Sequence, residues 1–447
     1  MRLVTVLAPF VLAEGIAGHV IRRNFKPQTG FGNPRLKDSD KSKPQECQST
    51  GKAVYLLTND AENAIVALPI NADGTLSEGT STKSGGKGAT SIDGATGELA
   101  ATDALISQGS LTIAGQVSHD SEPTAHLDIV LTQGLEHIFA VNAGSNTVSM
   151  LSISETDPTK LTMVGQPVEV PGEFPNTVAA SAKNSLVCVA MTGAVAGISC
   201  ASFDGEEGLG AMDDLRPIDL GQSTPPVGPT NTVSHTFFSE DESTLFTMVK
   251  GDPAANKTGF VSSLAVEQKP MCDGQTMMVA AAEDTRSSPE GTAVLFGSQV
   301  IPGTGNIFAT DPSFGGAILS VDAATGEAAV AAKGAIEDQV ATCWAAFSPM
   351  TESVFVTDVA TPRIVEMSAE DASILSMVDL SETGDPGFVD LRAAGSFVYV
   401  LAPGNGTADA AISVLDISGG QGNARAIQRF SLDGVAGNTA QGIAILD

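Results

Sequence analysis

Positive charge is scarce in this 447-residue chain, where 23 Lys and Arg stand against 52 Asp and Glu. The imbalance sharpens after residue 46: residues 47–447 hold 15 basic and 48 acidic side chains, a net of −33. Such a surface repels nucleic acid and anionic membrane, and its plain role is solubility. Aromatic residues are few, and the single Trp argues against WD40-type blades. No segment beyond the N-terminus approaches the roughly 18 apolar residues of a membrane-spanning helix. There is no GxSxG elbow, HExxH, P-loop or strand-borne GxGxxG, so no familiar catalytic class announces itself. The five cysteines show no CxxC or Cys/His spacing suited to zinc. Neither a metal nor a cofactor is predicted.

What is present is repetition. Short β-forming runs start at Val54, Ile138, Leu186, Leu245, Ile307, Val354 and Phe397, each followed by a turn and a second such run. From the second onward they recur every 43 to 62 residues, about the length of a four-stranded propeller blade. The predicted fold is all-β, a seven-bladed β-propeller over residues 51–447, and the 47 glycines suit its many turns. The closing stretch Gln441–Leu446 is expected to complete the blade begun near Val54. Residues 85–97 read as a long rim loop.

The chain begins as an exported protein does. Met1-Arg2 is a short basic start, an apolar run follows, and small residues at Ala13, Ala17 and Gly18 offer cleavage sites, which predicts a signal peptide over 1–18. Residues 19–50 include the dibasic pair Arg22-Arg23 and lack a strand pattern, as a pro-segment or disordered linker would. The expected location is secreted, extracellular or cell wall. Sequons at Asn256 and Asn405 are the expected glycosylation sites. Cys188 and Cys200 flank a turn that places them opposite each other on paired strands, where a disulfide is expected. Elimination then pairs Cys272 with Cys343 and leaves Cys47 over. Residues 117–133 form an atypical insertion with His119 and His126 inside it and His137 beside it. Three readings stand for it: a His-bearing lid, a tolerated rim insertion, or a retained intron.

Few side chains can carry chemistry. Arg216, Lys250, Arg286, Arg363 and Arg392 are the cations that a channel mouth can draw on for an anionic ligand. His235 alternates with apolar Val233 and Phe237 in an expected strand, either facing the channel or serving as a structural histidine. Asp213-Asp214 reads as a solvated turn.

The units around Leu56-Thr58-Asn59 and Phe139-Val141-Asn142, with residues 107–115, 138–151, 172–182 and 221–251, resemble the seven-bladed propeller lactonase family. Within it they are most similar to a secreted fungal branch labelled 3-carboxymuconate-cyclase-like. The resemblance implies lactone ring opening or closure of a muconate, through a His, an Arg and a Glu in the central groove. Those three positions fall near Asn176, Asn231 and Val249 in this chain. An amide orients a ligand but takes no proton at neutral pH, which leaves Asn176 and Asn231 as ligand-groove residues and His235 and Lys250 as the catalytic candidates. Two functions follow. One is a non-catalytic binding propeller for an extracellular surface ligand or a small carboxylated lactone or muconate. The other is an active lactonase or muconate cycloisomerase using channel residues. Oligomeric state is left open.

Overall fold

The second strand of a propeller blade is covered on both faces by neighbouring blades, so it carries an unbroken apolar run rather than an alternating one. Ala53–Leu57, Leu186–Met191 and Phe397–Ala402 are buried at every position. The outermost strands face water on one side and alternate instead, as in Ala328–Ala335. In this computed structural model the described residues are 51–100, 102–115, 136–271, 274 and 276–447. The expected signal peptide (1–18), pro-segment (19–50) and insertion (117–133), together with Cys47 and Cys272, lie outside them.

The described strands form seven antiparallel blades and almost no helix. The innermost strands, in ring order, are Gln441–Leu446, Leu111–Gly115, Pro175–Ser181, Val233–Phe238, Ser298–Ile301, Thr342–Ser348 and Leu391–Ala394. The ring closes as expected: Gln441–Leu446 pairs with Ala53–Leu57, so the last strand of the chain becomes the innermost strand of the first blade. No helix among the described residues is long and apolar enough to cross a membrane.

Cys188 and Cys200 sit directly opposite in the third blade and form a disulfide. The Cys272–Cys343 pairing is overturned, since Cys343 is a free, buried thiol. Asp213 is not a solvated turn residue either. Its carboxylate accepts from the Cys200 amide at 2.7 Å and takes both ends of the Arg216 guanidinium, bracing the disulfide hairpin. The expected rim loop, residues 85–97, forms and reaches across the ring, where Ile92–Asp93 pairs in parallel with Val227–Gly228.

Candidate functional site

The channel is filled by the chain itself. Residues 103–110, between the first blade and the second, run down the axis and are buried throughout. The Gln108 amide nitrogen donates to the Ser234 carbonyl and its side chain to the Ala345 carbonyl at 2.8 Å. Trp344, fully buried, donates through Nε1 to the Ser107 carbonyl, and Ser107 Oγ donates to Asn176 O. Asn176 in turn donates through Nδ2 to Leu105 O and Val233 O. Every such bond satisfies a backbone group that would otherwise be buried without a partner. The plug divides the channel into two separate mouths.

At one mouth lies a cavity of about 480 Å³ with a mostly apolar lining. Its walls repeat from blade to blade. The second strands of the fourth, fifth and sixth blades end at Val249, Asp311 and Asp358, and the next residue in each case, Lys250, Pro312 and Val359, faces the cavity. Where two blades place an apolar residue, the fourth places a cation. Lys250 Nζ donates to the Ile106 carbonyl at 2.6 Å and stands 4.1 Å from the centroid of the Phe296 ring. An ammonium has three donors, and among the described residues this is the one hydrogen bond that Lys250 Nζ makes, which leaves donors for a ligand. Ile106 itself is a β-branched residue in the left-handed region, at φ 50°. That conformation costs on the order of 1–3 kcal/mol and is typical of residues held at a site. Gly228 packs against its side chain, where a Cβ would come within 2.8 Å of Ile106 Cδ1.

Asp103 and Cys343 line the same cavity. Burial pushes the Asp103 carboxyl up from the usual carboxylate range, and the Lys250 charge only partly offsets this. Burial pulls the Lys250 amine down, and Asp103 partly restores it. The Cys343 thiol is pushed well up by burial, which makes it inert. Asp103 Oδ1 has no hydrogen-bond partner among the described residues. The cavity therefore holds a buried acid and a buried amine, each drawn toward its neutral form, against apolar walls.

The four residues expected to line one groove are dispersed. Lys250 is in this cavity, whereas Asn176 is inside the channel and grips the plug. Asn231, in the left-handed region, donates to Leu220 O and accepts from Lys257, as a loop-organising turn residue does. His235 opens on the opposite mouth. Of the other cations, Arg216 and Arg286 pair with Asp213 and Asp284, Arg363 donates to Glu337 O, and Arg392 pairs with Asp390. Asn256 and Asn405 are exposed on turns. Among the described residues no group of three or more His, Cys, Asp or Glu is placed to hold a metal. Asp103 was missed because nothing in its local sequence separates it from the chain's many acidic turns. Its burial is visible only once the plug is in the channel.

No family model and no curated protein sequence matches the chain. Solved structures do. A hypothetical selenium-binding protein from Sulfolobus tokodaii superposes with a TM-score of 0.52 at 10% identity, over 89% of this chain and 94% of that one. A candidate 6-phosphogluconolactonase from Bacteroides fragilis gives 0.51 at 10% identity, over 91% and 100%. A periplasmic gluconolactonase from Pseudomonas aeruginosa gives 0.47 at 14% identity, over 64% and 79%. At these identities the likeness is one of fold.

Proposed function

We propose that this protein is a secreted binding propeller that takes a small, mostly apolar carboxylate or lactone in the Lys250 cavity, with the groove chemistry of the lactonase family degenerate. The observation that carries the reading is Lys250. It is a single cation at a repeat position where the fifth and sixth blades have Pro312 and Val359, and it has donors to give. A carboxylate or lactone carbonyl paired with that ammonium, in an apolar cavity, gains a charge-assisted hydrogen bond that water screens poorly. Against catalysis stand the amides and valine at Asn176, Asn231 and Val249, and the plug that occupies the axis. The Cys188–Cys200 bridge suits an exported protein.

A second reading has its own support. Asp103 and Lys250 form an acid and amine pair with shifted ionisation, which is a frequent signature of acid–base catalysis. In that reading Asp103 moves the proton and Lys250 holds the lactone or muconate carboxylate. The deciding experiment is calorimetric titration of the secreted protein with 3-carboxymuconate and a lactone panel, alongside turnover assays on the same compounds. Binding without turnover, weakened about tenfold or more in Lys250→Met, supports the binding reading. Turnover abolished by Asp103→Asn would replace it with the enzymatic one.

A further inference from the structure

The opposite mouth holds a second cavity, of about 260 Å³, separated from the first by the plug. Five blades contribute to it: Leu111 and Thr112 from the second, Val178 to Ala180 from the third, and His235 to Phe238 from the fourth complete one side, with Ser298 to Val300 and Arg392 on the other. In a chain this acidic, none of these described lining residues carries a carboxylate, and one carries a permanent positive charge.

Arg392 is held with one edge engaged and the other open. Its Nη1 donates to Asp390 Oδ1 at 2.9 Å and to the Leu391 carbonyl at 2.8 Å. Asp390 is itself buried and accepts the Leu391 and Ile443 amides, so the anchor is rigid. Nε and Nη2, the edge whose parallel N–H bonds match two carboxylate oxygens, have no acceptor among the described residues. His235 forms a neutral wall beside it: burial first, and the Arg392 charge second, hold its imidazole well below the usual value. Phe237, Phe238 and Val300, each partly exposed, supply apolar contact for a short hydrocarbon tail.

We propose that this mouth is a carboxylate site, in which the Nε/Nη2 edge of Arg392 takes both oxygens of a small organic acid whose tail lies against Phe237, Phe238 and Val300. The volume is below the roughly 300–1,000 Å³ of drug-sized pockets, which restricts the ligand to a short-chain acid. The site is independent of the Lys250 cavity and of whether that cavity is catalytic.

The test is a titration of the full secreted protein with butyrate, followed through the imidazole resonance of His235, which reports this mouth alone. A saturable shift is expected, lost in Arg392→Gln. Because that change also leaves Asp390 buried without its partner, Gln299→Glu serves as the second variant. It sets a carboxylate in the mouth without touching the Arg392 anchor and should weaken butyrate about tenfold or more. The proposal is overturned by an unmoved His235 resonance, by unchanged affinity in Gln299→Glu, or by an equal response to inorganic phosphate or to chloride at matched ionic strength.

Discussion

Asn176, expected as a ligand-groove residue, is bonded to the plug and to a neighbouring blade. Its amide donates to carbonyls on both sides, one on the plug and one on the fourth blade, and both are buried. Asn176→Ala leaves the two acceptors without partners, at a cost of about 1–3 kcal/mol, and faster amide exchange in residues 103–110 relative to the blades is the accompanying readout. His235 carries a pH dependence of definite sign. The folded protein holds its ring neutral, well below the ordinary imidazole value of about 6.5. The stability tied to the neutral ring is thus complete above that pH and is lost as pH falls below it. Denaturant melts of the wild type should weaken between pH about 6.5 and 5, and His235→Gln should flatten that part of the profile. An identical slope in the variant would remove His235 as its source. Lys250 was legible in the sequence because cations are so few. Its partner Asp103 was not, one acid among 52 acidic side chains.

Among the elements, the second strands were the readable ones. All seven repeat anchors coincide with them, because burial on both faces concentrates Val, Ile, Leu and Phe there into runs that no turn interrupts. Outer strands such as Ile374–Asp379 are half solvated and have no such run, so their periodicity is hard to tell from polar loop. The disulfide hairpin was legible for a geometric reason: equal spacing on either side of a turn puts Cys188 and Cys200 in one register. Its closed loop has a sequence separation of 12, and chain-entropy arguments assign such a loop about 3 kcal/mol. Reduction, or Cys188→Ala with Cys200→Ala, should lower the denaturation midpoint accordingly. The Asp213–Arg216 brace should retain the hairpin's shape, so near-native circular dichroism is expected beside the lower midpoint. A midpoint that does not move would mean the hairpin is already constrained in the unfolded chain.

For the molecule as a whole, the ring was legible and its filling was not. Repeats of similar length specify stacking blades, but a segment that lies along the axis has no repeat partner and no periodicity to betray it. Closure by Gln441–Leu446 makes the fold all-or-none at its seam. Deleting those residues uncovers the fully buried Val54, Tyr55 and Leu56 and opens the edge of the first blade. A chain ending at residue 440 should lose cooperative thermal unfolding and associate through that edge, as light scattering would show. Retention of a single sharp transition would mean that the seam contributes little.

The plug has a consequence for synthesis. Its residues leave the ribosome before the blades that grip them: Asn176 follows Leu105 by 71 positions, Lys250 follows Ile106 by 144, and Ala345 follows Gln108 by 237. The axle is therefore made before most of the wheel. Until those partners emerge, the nascent chain carries the buried groups of residues 103–110 unpaired, and the strand Gln441–Leu446 is the last to join the ring. A helper that shields residues 103–110 during this interval would raise the yield of folded protein without changing its stability once formed.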